Sequence, residues 1–212
     1  MRKITTLFFL ALFTLTTSVY AGGMIGVKLG QGDLEGNSKS YTAGSTTYAA
    51  ISASKDSDFG AIFAEVNIKE SPISVGLEYV PLDTDISLQG HQSNVSANVQ
   101  DYTTLYLLAK RDLTNFSVYA KIGYSEADIG TIKHDSNAQT TVNSQSASLE
   151  GTMYGFGLQS QELPFGLVAR AEYTFTEFDT ISVNTTSHGS TAVDKKADGD
   201  LTTLTLSVAK SF

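Results

Sequence analysis

Counted back in twos from its last residue, the chain reads Phe212, Lys210, Val208, Leu206, Leu204, and the residues between are Ser211, Ala209, Ser207, Thr205 and Thr203. Apolar side chains on one face and small or polar ones on the other, with a period of two, predict a β-strand. Seven earlier segments carry related patterning. MIGVKLGQG sets Ile25, Val27 and Leu29 against Lys28. FGAIFAEVNIK sets Ile62, Ala64, Val66 and Ile68 against Glu65 and Asn67. ISVGLEYV sets Ile73, Val75, Leu77 and Tyr79 against Ser74, Gly76 and Glu78. TTLYLLAKR is apolar on both faces, and Lys110 assigns Leu105, Leu107 and Ala109 to the apolar one. FSVYAKIGY sets Phe116, Val118, Ala120, Ile122 and Tyr124 against Ser117, Tyr119, Lys121 and Gly123. TMYGFGLQS sets Tyr154, Phe156 and Leu158 against Met153, Gly155 and Gly157. LVARAEYTF sets Leu167, Ala169, Ala171, Tyr173 and Phe175 against Val168, Arg170, Glu172 and Thr174.

The connections alternate in length. ESP, DLTN and QELPFG join the second strand to the third, the fourth to the fifth and the sixth to the seventh; the other links run to roughly 20 residues. Short links at one end and long ones at the other predict an up-and-down meander. An even strand count with both termini on the short-turn side fits a transmembrane barrel, whose turns are short at the periplasmic end and whose loops are long outside. A compact soluble domain rarely carries four such loops.

Composition supplies the compartment. Arg2 and Lys3, an apolar run from about Ile4 to Leu15 and small residues ending at Ala21 have the layout of a secretory signal peptide, so residues 1–21 are read as a leader and 22–212 as one β-barrel domain. The whole chain carries a net charge of −8 and becomes −10 without Arg2 and Lys3, which leaves no electrostatic basis for binding nucleic acid. There is no cysteine, so disulfides and thiolate chemistry are excluded.

An exported all-β chain is either a soluble sandwich or a membrane barrel, and alternation alone does not separate them. The face opposite the apolar one carries Lys28, Glu65, Glu78, Lys110, Lys121, Arg170 and Glu172. In a sandwich these charges point to water; in a barrel they point into the lumen. The apolar faces end in aromatics: Tyr79, Tyr124, Tyr154, Tyr173 and Phe175 toward the long-loop ends, Phe116, Phe165 and Phe212 toward the short-turn ends. Two aromatic girdles are what amphipathic rings at headgroup depth produce. The expectation is therefore an all-β, eight-stranded, antiparallel up-and-down transmembrane barrel with short periplasmic turns and four long extracellular loops.

The terminal alternation ending in Phe212, together with Arg170, Glu172 and Tyr173 in LVARAEYTFTEFD, resembles the small outer-membrane barrels of the OmpA/OmpX and opacity-protein type. The resemblance covers the whole mature chain in layout and specific residues only near its end. It implies residence in the outer membrane of a Gram-negative bacterium, in contact with outer-membrane lipid. It also implies that Leu204, Leu206, Val208, Lys210 and Phe212 form the signal read by the barrel-assembly machinery. Lys210 departs from the family pattern, which usually has an aromatic there; a lysine can snorkel to the interface instead.

Eight strands enclose room for side chains or one small ligand. Seven inward charges of nearly balanced sign predict a salt-bridged plug, since unpaired charges in a narrow interior are costly. The long connections are rich in Ser, Thr, Asn and Gln, and stretches such as Ile181-Ser-Val183-Asn read as strand pairs continuing above the membrane, turning near Gly90-His91 and His188-Gly189. No catalytic, metal or cofactor set is assigned. His91, His134 and His188 lie in three different connections, and neither Asp83 with Asp85 nor Asp194 with Asp198 and Asp200 has an EF-hand-like spacing. The leading reading is a non-enzymatic barrel with a structural or adhesin-like surface role and an extracellular partner through the long loops. A lipid-modifying outer-membrane enzyme and a narrow porin are the alternatives.

Overall fold

The computed structural model describes residues 22–43, 46–89, 93–136, 139–143, 147–185 and 193–212. The expected leader and the expected turns at Gly90-His91 and His188-Gly189 lie outside the described residues. The strands are β1 (Gly23–Ser38), β2 (Tyr41–Ala43), β3 (Thr46–Tyr48), β4 (Ile51–Asn67), β5 (Ile73–Gln89), β6 (Ser93–Asp112), β7 (Phe116–Ser136), β8 (Gln139–Asn143), β9 (Ala147–Ser160), β10 (Leu167–Thr185) and β11 (Val193–Ser211).

Eight of these close a ring. The order is β1, β4, β5, β6, β7, β9, β10, β11, each antiparallel to the next, and β11 pairs back onto β1 from Met24–Ser211 to Ser38–Ala197. The seal at the chain ends is reciprocal: Gly23 N–H donates to the Phe212 carbonyl at 2.9 Å, and Phe212 N–H to the Gly23 carbonyl at 3.0 Å. The register also fixes the slant of the strands. From Lys28 the pairs run through Ser207, Arg170, Gln159 and Ser117 to Asp112 on β6. In the other direction Lys28 pairs with Ala61, which stands level with the Val80–Tyr102 pair. The ring thus returns to β6 ten residues displaced, at Tyr102 instead of Asp112. Ten residues of ~3.3 Å spread over eight strands ~4.8 Å apart tilt the strands by ~40°.

Burial decides between the sandwich and the membrane barrel. On β11 the exposed side chains are Leu204 (62%), Leu206 (67%) and Val208 (50%), while Thr203, Thr205, Ser207 and Ala209 are buried. The same inversion puts Ile25, Val27, Leu29, Ile122, Phe156 and Leu158 outside and Lys28, Glu65, Lys121 and Glu172 inside. An apolar outer band around the whole ring is covered only by lipid. Past it, the outward faces turn acidic: Asp33 and Glu35 on β1, Asp56 and Asp58 on β4, Glu126 and Asp128 on β7, Glu177 and Asp179 on β10 and Asp198 and Asp200 on β11.

The short turns are residues 68–72, 113–115 and 161–166, as the alternation of link lengths requires. The long links continue as paired strands, as read from stretches such as Ile181-Ser-Val183-Asn: β5 and β6 stay paired out to Gln89–Asn94, and β10 and β11 to Thr185–Val193. The ring does not continue so far everywhere. The β4–β5 ladder ends at Ile62–Tyr79 and the β9–β10 ladder at Phe178–Gly151, so the outer end divides into two lobes, β4-β1-β11-β10 and β5-β6-β7 with β8 and β9. Register shifts cluster at the point of division, between Val80 and Asp83, Gln100 and Thr103, and Phe178 and Ile181. Bulges at a barrel rim bend strands away from the ring.

Candidate functional site: the barrel lumen

Three cross-strand pairs of glycine and aromatic residue shape the interior. Gly26 stands opposite Phe63, Gly76 opposite Tyr106 and Gly157 opposite Tyr119, all pointing inward. A Cβ on Gly26 would lie 2.6 Å from the Phe63 ring, and one on Gly76 or Gly157 would overlap the facing tyrosine. The rings therefore lie across bare backbone, and the two tyrosines reach the centre of the bore with their hydroxyls.

There they meet a charged network. The Arg170 guanidinium grips Glu65 with two parallel bonds, Nη1 to Oε1 at 2.6 Å and Nη2 to Oε2 at 2.8 Å. Arg170 Nε donates to Gln159 Oε1 at 2.8 Å, and Tyr106 OH donates to Glu65 Oε1 at 2.7 Å. Beside this pair, Lys28 Nζ donates to Glu78 at 2.6 Å and to Glu172 at 2.7 Å. Lys121 Nζ reaches the same two carboxylates at 3.4 and 3.0 Å. Tyr119 OH donates to Glu172 Oε2 at 3.0 Å. The two halves interlock through the rings, with Lys121 Nζ 3.8 Å from the Tyr106 ring centre and the Arg170 guanidinium 5.1 Å from that of Tyr119.

Three cations and three carboxylates make the cluster neutral. Its members are buried, Glu65 to 1% exposure and Lys28 to 4%. Charges removed from water to this degree hold together only when fully partnered and hydrogen-bonded. Toward the short turns the bore is filled by Met24, Phe63, Val168 and Ala209. Toward the outer end lies a layer of hydroxyls: Tyr102 donates to Ser125 at 2.9 Å and meets Thr176 at 3.1 Å, Thr104 meets Ser125 at 2.8 Å, and Thr174 meets Thr203 at 2.6 Å.

Of the seven charges read as lumen-facing, six enter this cluster: Lys28, Glu65, Glu78, Lys121, Arg170 and Glu172. Lys110 does not, and that expectation is corrected. It shares the inward parity of β6 but lies close to the β6–β7 turn, where its Nζ pairs with Asp112 at 3.5 Å and its side chain stays about one-third exposed. Parity gives the face and the barrel's stagger gives the depth; at this depth the bore is already open to water. The sequence reading missed Tyr106, Tyr119 and Gln159. The signal for the tyrosines was glycine opposite aromatic, which becomes visible only once the register is known.

Asp112 is the last residue of β6 and is exposed at the β6–β7 turn. Ser117 Oγ donates to its Oδ1 at 2.6 Å, and this bond first, then Lys110, holds its carboxyl below the usual range. Of the aromatics, Tyr79 donates to Asp101 and Tyr124 to Glu150, each at 2.5 Å, tying rings of the apolar band to carboxylates just beyond it. Tyr154, Tyr173 and Phe175 share an outward patch with Phe156, whose ring centre lies 5.5 Å from that of Tyr173. Phe116, Phe165 and Phe212 are exposed at or beside the short-turn end. Leu204, Leu206, Val208 and Lys210 share the outward face of β11, Phe212 follows its last residue, and Lys210 Nζ donates to the Phe165 carbonyl. His91 and His188 fall outside the described residues; His134 lies on β7 paired with Val95. Asp198 pairs with Lys39 at 3.1 Å. Among the described residues no group of three or more His, Asp or Glu is placed to hold a metal ion.

A closed ring of eight strands, lipid-facing outside and charged within, defines an integral outer-membrane β-barrel protein. The chain belongs to the outer membrane protein beta-barrel domain family, whose model matches residues 7–212. No curated protein sequence matches it. Among solved structures it is similar to the outer membrane protein OprG from Pseudomonas aeruginosa (TM-score 0.58, 11% identity, covering 90% of this chain and 96% of that one). It is also similar to the outer membrane protease OmpT from Escherichia coli (TM-score 0.54, 7% identity, 93% and 100%) and to the outer membrane protein AlkL (TM-score 0.53, 14% identity, 92% and 93%). At these identities the likeness is one of fold. The protein resides in the outer membrane of a Gram-negative bacterium.

Proposed function

We propose that this barrel is a non-enzymatic, non-conducting anchor that presents its outer strand extensions for surface interaction. The observation that carries the reading is the neutral, fully partnered ion cluster across the bore, with Met24, Phe63, Val168 and Ala209 packed beneath it. A pore needs a continuous polar path, and here the inward charges satisfy one another. What remains for function is the outer end, where β5–β6 and β10–β11 run on as paired strands beyond the acidic rim. Among the described residues, β4 and β10 have no ladder to the neighbouring barrel strand beyond Ile62 and Phe178, and such edges suit pairing with an extended segment of another protein. The terminal face from Leu204 to Phe212 serves as the assembly signal, and Tyr79, Phe116, Tyr124, Tyr154, Phe165, Tyr173 and Phe175 anchor the barrel at its two interfaces.

The test removes the extension from about Ile181 to Lys196 and measures two quantities on the same variant: binding to host-cell or matrix protein surfaces, and outer-membrane lipid composition by mass spectrometry. Binding should fall while lipids stay unchanged. Altered lipids in His91→Ala, His134→Ala or His188→Ala alone would favour a lipid-modifying enzyme instead.

A further inference from the structure

Above the ion cluster the lumen changes character. All eight barrel strands contribute to a cavity that opens toward the outer end. Its walls are mainly apolar, with Leu34, Phe59, Val80, Val99, Phe178 and Leu201 from six different strands, and Lys55 and Ser57 of β4 join them. We propose that this outer half of the lumen is a binding site for a small hydrophobic molecule, an uncharged hydrocarbon chain or ring system.

Three observations carry the assignment. The lining is that of a small-molecule pocket, hydrophobic and aromatic side chains with few polar groups. Next, the polar groups of the floor are already engaged. Glu78 and Lys121 are bonded within the ion cluster, Tyr102 and Thr104 to hydroxyls of the layer below, and Thr174 to Thr203. Water held against such walls lacks the two to four partners it needs, and a polar ligand would have its own groups left unpaired. A hydrocarbon loses nothing there and is removed from water. Finally, the cavity borders the seam in the wall. Phe59 and Val80 line it beside the point where the β4–β5 ladder ends at Ile62–Tyr79, and Pro81, which has no N–H to continue a ladder, follows at once. The void thus lies beside this seam as well as its outer mouth, so the hydrocarbon is either a free hydrophobe or a lipid acyl chain.

The chain contains no tryptophan, which makes the test direct. Phe59→Trp places a reporter in the cavity, and Val27→Trp places one on the lipid-facing side of β1. Each full-length barrel is assembled into nanodiscs and titrated with 1-bromododecane or, separately, built with brominated-acyl phospholipid. The Phe59→Trp reporter should be quenched saturably by bromododecane at about one molecule per barrel, whereas Val27→Trp should be quenched in simple proportion to the amount partitioned. Adding Val99→Phe, which fills the cavity, should remove most of the saturable phase. Quenching by bromododecane alone identifies a free hydrophobe, and quenching by brominated phospholipid as well identifies an acyl chain; both support the site. Parallel, unsaturating quenching at both reporters, or a saturable phase untouched by Val99→Phe, would overturn it. If Phe59→Trp fails to refold, Leu34→Trp replaces it with the same criteria.

Discussion

Arg170 is the position where the closed-lumen account is most exposed to refutation. Replacing it by alanine removes both bonds to Glu65, the bond to Gln159, and the stacking against Tyr119. Glu65 then remains as a carboxylate about 1% exposed, with the Tyr106 hydroxyl as its main close donor. Stranding one partner of a buried ion pair costs ~3–5 kcal/mol. Arg170→Met and Glu65→Leu should each cost a similar amount, because each strands the other charge. The double variant Arg170→Met, Glu65→Leu strands neither, so it should recover much of the loss, and the coupling in this cycle should amount to ~2–3 kcal/mol. The assay is urea unfolding in detergent micelles, read by far-ultraviolet circular dichroism and by the fraction of chain keeping its compact mobility on an unboiled gel. An Arg170→Ala midpoint equal to that of the parent would mean that water reaches the guanidinium and that the lumen is open. Losses that simply add in the double variant would mean that the two residues act independently.

Gly76→Ala drives a methyl into the Tyr106 ring and should destabilise the barrel by ~1–3 kcal/mol, whereas Gly60→Ala, whose new methyl meets Leu29 at an ordinary 3.6 Å, should be near neutral; unfolding midpoints of the two variants decide it. Asp112 holds its proton less tightly folded than unfolded, so its contribution is complete above the ordinary aspartate range and is lost as pH falls through and below that range. Midpoints measured from pH 6 to pH 3 should therefore decline less in Asp112→Asn than in the parent, and equal declines would remove Asp112 from the account. Phe212→Ala should lower the amount of assembled barrel in cells several-fold while the purified chain still refolds in detergent, and an equal loss in both would make the residue structural instead of a signal.

Legibility in the sequence followed the solvent. Where lipid covers the outside, from Phe116 to Tyr124 or Leu204 to Phe212, the two faces differ in polarity and the strand can be read directly. On β6 the inward face carries Tyr106 and Leu108 as well as charge, because the bore beside the ion cluster is partly apolar, so TTLYLLAKR looked alike on both sides. Beyond the band, β4 and β11 present Asp56, Asp58, Asp198 and Asp200 outward. With no lipid to select apolar residues there, the alternation vanishes although the ladders continue, and these segments read as loops. All six of the cluster's charges were accessible from parity, but Lys110 was not separable from them, since its depth depends on the ten-residue stagger of the ring. The cavity was hidden for the same reason: Leu34, Val80, Val99 and Phe178 come from strand ends whose convergence is a property of the closed barrel.

Single-channel recording in a planar bilayer tests the central claim, that the ion cluster closes the bore. The assembled protein should show no steady conductance at neutral pH, because the inward charges pair with one another and no continuous polar path remains. Large, stable, ion-selective steps from the parent chain would contradict the account, since ions would then be crossing the plane that Lys28, Glu65, Glu78, Lys121, Arg170 and Glu172 occupy.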